Sequence, residues 1–456
     1  MRDGEKSGGA VRRRTFAAAA AFAFLSSFDT GAGNLALPEF AAAFGAGAGT
    51  AAWAMGAYLI SLAVFTLPFG GLGDRLGRGA VFRRGVFVFS AASVLGGLAR
   101  NFPVFLTARA VQGAGAAAAI ANSQGMLAEV FPQEERGRAF GGNGAFSALG
   151  ALAGPALGGL LLPLAGWRWL FWVGVPVGVL AWVAVPRLPR RTVPEGRDIA
   201  GNVLFALAAG LLLFALERAS AGGFGSPLVL LCLVCSGVLL PAFFRRETRA
   251  AHPMLDPVLL RSRRLRRAVL RIFVSFAAFS AAGLVLPFYL RGTRGMNPGE
   301  AGAFLEVCPL MLAVAAPAGG ALADRFGPEK VAPAGLAAMG AGLFLTAGLG
   351  GDAAGWEIVL FLGIYSFGDG LFLPANSALV MSLLPKEKLG LGGSMNAFAR
   401  NIGMAAGVAA ASAGLGGSAR NAFGVKSVCL TAGFACAAAA LLPLLRAAFG
   451  RAGGKE

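Results

Sequence analysis

Fourteen apolar runs recur along this chain of 456 residues, each close to the roughly 20 residues an α-helix needs to cross a bilayer. They start with 15–38, 51–72 and 83–99 and finish with 390–414 and 427–446. Charged residues make up 14% of the chain, against about 25% in an ordinary soluble domain, too few to clothe a soluble globule of this size. The runs are rich in Leu, Ala, Gly and Phe and lack the alternation of a barrel strand. They therefore read as helices, and the fold class is an all-α integral membrane protein with 14 transmembrane helices.

The net charge of +18 would suggest nucleic acid in a soluble protein, but its placement points elsewhere. With the N-terminus in the cytoplasm, 31 of the 40 Lys and Arg fall in cytoplasmic segments, 7 in outward loops and 2 (Arg109 and Arg400) inside spans. That asymmetry is the positive-inside bias, and it puts both termini in the cytoplasm of a cell (inner) membrane crossed many times. The partners implied are the lipid bilayer and a small molecule, with no nucleic acid. "VRRRTFAAAAAFAF" at 11–24 has the charged-then-apolar order of a signal peptide, but the run continues through Asp29 to Pro38 and reads as the first span.

One pattern, Gly-x-Leu-x-Asp-Arg-x-Gly, occurs at 70–77 and again at 320–327, after the second and the tenth span. If each copy marks the same place in a six-span unit, spans 1–6 form one unit and spans 9–14 the other, with spans 7 and 8 between them. Both copies fall on the cytoplasmic side, so the units are parallel repeats about an axis normal to the membrane. The expected organisation is an N-terminal segment 1–14, a six-helix bundle 15–191, two intervening helices 192–245, a basic linker 246–267, a second six-helix bundle 268–447 and a tail 448–456. No other loop leaves room for a soluble catalytic domain, and no Gly-x-x-x-x-Gly-Lys-Ser/Thr phosphate loop occurs. His252 is the single histidine, and Cys232 and Cys235 lie mid-span among apolar residues, so neither a metal site nor an enzyme is expected.

These stretches resemble the major facilitator superfamily. The Gly-x-Leu-x-Asp-Arg-x-Gly loop looks like its signature between helices 2 and 3. "FDTGAGNLALP" (28–38) resembles the first-helix motif of the fourteen-helix drug/proton antiporter branch. "RAVQGAG" (109–115) resembles the basic motif of helix 4, "GALAGPALGG" (150–159) the antiporter motif of helix 5, and "GWRWLFWVGVPVG" (166–178) the entry to helix 6, with Gly174 where Asn is usual.

In the loop copies, Gly70 and Gly77 permit close approach and a tight turn. Asp74 can accept from free amides at a helix start, and Arg75 and Arg78 add forked donors. Asp324, Arg325 and Gly327 repeat the set, with Pro328 where the first copy has Arg78, so the second gating loop has one donor fewer. Ionisable residues inside spans are functional candidates by default. Asp29 and Arg109 sit at similar depth, roughly 13 and 9 Å below the outer surface at 1.5 Å per residue, and can pair. Asp369 lies near the middle of span 12, Glu306 in the outer half of span 10 and Arg400 well inside span 13.

The resemblance implies that Asp29, Asn34 and Arg109 line a central cavity and couple protons; depth adds Asp369 and Asn376. Phe273, Phe276, Phe279 and Phe372 are generic substrate contacts. In the helix-5 motif, Gly150, Gly154 and Gly158 recur every four residues, with Pro155 and Gly159 beside them, and such spacing lets helices touch backbone to backbone. The function expected is a monomeric, cofactor-free, proton-coupled exporter of amphipathic or cationic small molecules or drugs (multidrug efflux) by alternating access. A dedicated transporter of one metabolite is the alternative, with a channel or a membrane-embedded enzyme further behind.

Overall fold

The computed structural model describes residues 2–186, 198–250, 253, 259, 261–415 and 422–452. His252, most of the linker between its ends and the last residues of the tail lie outside them. The chain is helical throughout the described parts. Its first half comprises α1 (Arg2–Leu35), two short helices α2 (Leu37–Phe44) and α3 (Ala48–Ala51), α4 (Trp53–Leu76), α5 (Arg78–Leu98), α6 (Phe102–Val130), α7 (Arg136–Ala165), α8 (Arg168–Val173) and α9 (Val175–Ala184). Helices α10 (Ile199–Gly222) and α11 (Pro227–Glu247) follow. The second half comprises α12 (Arg263–Phe288), α13 (Pro298–Leu305), α14 (Val307–Phe326), α15 (Pro328–Ala347), α16 (Gly355–Ser382), α17 (Leu389–Gly414) and α18 (Ala422–Ala452).

Among the described residues, 11 helices are long and apolar enough to cross a membrane. The difference from fourteen runs has local causes. The run at 168–186 is broken at Gly174 into α8 and α9. Serines and Asp29 dilute α1, and Asn396, Arg400 and Asn401 dilute α17. The outer surface is apolar, as hydrocarbon requires: Leu164 is 75% and Phe434 65% exposed.

The two halves repeat one packing scheme. α1 packs on α7 as α12 packs on α17; α4 and α5 pack on α6 as α14 and α15 pack on α16. Across the boundary, α4 meets α17 and α14 meets α7, so each half lends the same two positions to the other. α10 and α11 pair with each other, and α10 leans on α4 and α17. Asp198 caps α10 through the Gly201 amide (2.9 Å) and accepts from Arg246 of α11 (2.8 Å), which holds its carboxyl below the usual range.

Glycine sets the two matching turns. Gly77 ends α4 at φ 94° and Gly327 ends α14 at φ 89°, a region in which a Cβ is disfavoured. The N-terminal basic stretch is part of the first helix. Residues before 15 continue α1 as helix, and Arg12 donates to the Val130 carbonyl (3.1 Å) and to Glu135 (3.3 Å), so its charge neutralises the end of α6 and the following turn.

Candidate functional site

A cavity of about 420 Å³ lies between the halves, lined by α1, α4, α6 and α7 on one side and α12, α14, α16 and α17 on the other. Its wall is mostly apolar, with Phe22, Tyr58, Phe276 and Phe279 among the large rings. Asp369 and Arg400 are the charged residues on it. Asp369 is 3% exposed and accepts from Ser275 Oγ of α12 at 2.8 Å. Arg400 lies with its guanidinium 5.8 Å from the Phe276 ring. Asn34 also lines the cavity.

Asp29 and Arg109 are brought together, but not in the cavity. Arg109 Nη1 donates to Asp29 Oδ2 at 2.8 Å, Nε to the Ala54 carbonyl at 3.1 Å, and Nη2 touches Met55 Sδ. Gln112 closes the group: it accepts from Arg109 and donates to Asp29 Oδ1 (2.9 Å) and Ser93 Oγ (2.9 Å). The guanidinium is 1% exposed and stacks 4.6 Å above the Tyr58 ring, whose body lines the cavity. The expectation of Asp29 and Arg109 as lining residues is therefore corrected. On α1 the cavity face is Phe22, Ser26, Thr30 and Asn34, and Asp29 points off that face toward α6.

Other expectations move as well. Asn376 is fully buried off the cavity, its amide donating to the Ala268 carbonyl at 2.9 Å, so it ties α16 to α12. Phe372 and Phe273 also miss the lining, while Phe276 and Phe279 belong to it. Glu306 sits at the break between α13 and α14 and is exposed, away from the cavity. Along α7, Gly150 and Gly154 abut α1 so closely that a Cβ on Gly154 would meet Ala32 N and Phe28 O at 2.9 Å. Gly158 and Pro155 press on Leu35 and Gly31, but Gly159 faces open space and takes no part in that packing. Gln112 and Tyr58 escape the sequence reading. Gln112 had a usable signal, since it lies three residues after Arg109 on the same helix face.

Below the cavity the halves are joined. Asp74 accepts from the Gly390 amide (2.7 Å) and the Leu391 amide (2.9 Å) at the start of α17. Arg78 braces it through Nε at 2.7 Å, reaching Glu129 and the Lys386 carbonyl with its other nitrogens, both at 2.8 Å. Asp324 repeats the contact on the other side, accepting from the amides of Gly137 (2.7 Å) and Arg138 (2.9 Å) at the start of α7. Among the described residues its added cation is the exposed Arg138 side chain at 4.0 Å. Free amides and the helix dipole favour a carboxylate at both places. Gly70 and Gly137 make the approach possible: a Cβ on Gly70 would collide with Ser394, and one on Gly137 with the Gly320 carbonyl. Arg75 lies half-buried in the same loop, and Arg325 rests against the Phe326 ring at 5.1 Å. Gln124 of α6 accepts from Asn396 of α17 at 2.9 Å on the cavity wall, joining the two halves there as well.

The sequence profile of the Major Facilitator Superfamily matches residues 19–408 and 268–452. The riboflavin transporter RibZ of Clostridioides difficile (strain 630) is 29% identical over 390 residues, 85% of this chain and 84% of that protein. The multidrug resistance protein Stp of Mycobacterium tuberculosis (strain ATCC 25618 / H37Rv) is 30% identical over 380 residues, 82% of this chain and 71% of that protein. Among solved structures, the proton:xylose symporter XylE superposes with a TM-score of 0.69 at 15% identity, covering 95% of each chain, a likeness of fold. A central cavity between two repeated halves and a profile match across nearly the whole length lead to one conclusion: this multi-pass membrane protein belongs to the major facilitator superfamily of transporters.

Proposed function

We propose that the protein is a proton-coupled exporter of amphipathic small molecules. It would work by alternating access on a fourteen-span fold of the drug/proton antiporter branch, with both termini in the cytoplasm of the cell (inner) membrane. The carrying observation is the pair of matching contacts, Asp74 on α17 and Asp324 on α7, that close one end of the cavity. Backbone amides and carboxylates held this way separate as units when two rigid halves rock, which is what an alternating cavity needs. The multidrug resistance protein among the relatives supports the substrate class.

The proton step rests on Asp29. When ionised it anchors Arg109 and Gln112; a proton on it cancels its pull on Arg109 and frees the α1–α6 contact beside Tyr58. The cation then gains by moving toward other acceptors, and the cavity wall moves with the Tyr58 ring. Burial raises the energy of any state with one partner charged and the other neutral, so protonation and movement are coupled.

Proteoliposomes with an imposed pH gradient and a panel of amphipathic dyes test the reading. Gradient-driven accumulation that collapses with a protonophore is the expected result. Flux that ignores the gradient would mark a channel and overturn it. The riboflavin transporter among the relatives favours a second reading, transport of one metabolite; movement of riboflavin alone from the same panel would establish that.

A further inference from the structure

The cavity wall contributed by α17 is polar and unsatisfied. Asn396, Arg400 and Asn401 fall on one helix face and all line the cavity. Asn401 is 6% exposed, and neither its amide nitrogen nor its oxygen has a hydrogen-bond partner; Asn396, 4% exposed, keeps a free oxygen. Asn143 of α7 points a third unpartnered oxygen at the same space. Arg400 has no ion pair among the described residues, its Nε lacks an acceptor, and its guanidinium lies by the Phe276 ring on the wall it shares with Tyr58. Each unmade bond of a buried polar group carries a desolvation cost, and a cation without a partner carries a larger one. Such a cluster is a place where a ligand gains what the protein alone leaves unmade.

The sign of the available charge follows from the other ionisable groups. Asp29 is committed to Arg109, and Asp369 is turned to Ser275 and almost closed off from the cavity. Arg400 is thus the charge that a ligand meets, and it is positive. The remaining wall, with Phe22, Phe276 and Phe279, accepts a flat apolar body.

We propose that this cavity binds amphipathic organic anions: an aromatic or polycyclic body against the phenylalanines, a carboxylate-like group on Arg400, and carbonyl or hydroxyl groups on Asn401 and Asn143. The proposal rests on the cavity being the transport site, and it differs from the cationic class that the sequence suggests. Arg presents a fork that matches a carboxylate, and against a mostly apolar wall such a charge-assisted contact outweighs the neutral ones.

Two probes with one ring system and opposite charge decide it: anthracene-9-carboxylate and 9-(aminomethyl)anthracene, titrated by fluorescence against the purified full chain in nanodiscs. The carboxylate is expected to bind at least about tenfold more tightly than the ammonium. Arg400→Gln should weaken the carboxylate by about tenfold or more and leave the ammonium unchanged or tighter, while Arg400→Lys keeps most of the preference. Should Arg400→Gln fail to fold, the ratio of the two affinities in the unmodified chain, and its retention in Arg400→Lys, carry the test. Equal binding of both probes, tighter binding of the ammonium, binding of neither, or a parallel loss of both in the variants would each overturn the proposal. Reconstitution separates it from the transport reading: carboxylate binding that depends on Arg400 without any gradient-driven flux would leave the anion site standing and remove the exporter.

Discussion

Asp74 and Asp324 stand in the same relation to opposite halves: each carboxylate receives two backbone amides from the first turn of a helix across the boundary, the first at Gly390 and the second at Gly137, both at 2.7 Å. Only Asp74 is also braced by a buried arginine, Arg78.

Replacing Asp74 with Asn removes a charge-assisted contact worth about 1.5–3 kcal/mol, enough to shift a two-state ratio by roughly 10- to 100-fold. Asp74→Asn should slow cycling while leaving binding in the cavity intact. Asp324→Asn should cost less, because an exposed Arg138 at 4.0 Å is a weaker partner than the buried Arg78 at 2.7 Å from Asp74. Transport rates at matched expression check this; equal losses, or a larger loss at Asp324, would refute the asymmetry.

A methyl group on Gly137 has nowhere to go, because the Gly320 carbonyl occupies its place. Gly137→Ala should therefore pry α7 from α14 at a cost of about 1–3 kcal/mol and populate the state open at that end. Spin labels on Glu134→Cys and Lys330→Cys, in a background without the native cysteines, should report a longer distance. Gly159→Ala is the control: no atom lies within 4 Å of its Cβ, so distance and activity should be unchanged.

Asp29→Asn should abolish gradient-driven transport with the fold retained, since the amide keeps the shape but exchanges no proton. Gln112→Leu should give a partial loss, about tenfold, by removing a donor to Asp29 and an acceptor for Arg109. Uptake into inverted vesicles measures both. Undiminished proton-driven flux in Asp29→Asn would eliminate Asp29 as the coupling group.

Asp369→Asn should shift the range of substrates further toward anions, with any residual flux of cations such as ethidium losing most, because the small part of this carboxylate that reaches the wall is negative. Ser275→Ala should act in the same direction more weakly, since it removes one donor to that carboxylate. A substrate profile identical to that of the unmodified chain would exclude Asp369 from the cavity's chemistry.

The primary sequence by itself determined the helical class and the repeat. Run length and the scarcity of charge leave a chain in hydrocarbon little choice but helices, and the two Gly-x-Leu-x-Asp-Arg-x-Gly copies carry their turn in local backbone preference, as Gly77 and Gly327 show. The Asp29–Arg109 pairing was also legible, because depth along a helix follows from residue count. Facing was not. Whether Asp29 or Asn34 borders the cavity, or whether Asn376 binds substrate or ties α16 to α12, depends on the rotation of each helix about its axis. In helices that are apolar nearly all round, no polar stripe marks the inner face. Only tertiary packing fixed those rotations, through contacts such as Asp29 on Arg109 within the first half, Asn376 on Ala268 within the second and Gly137 on Gly320 between them, and it left Arg400, Asn396 and Asn401 facing the cavity together.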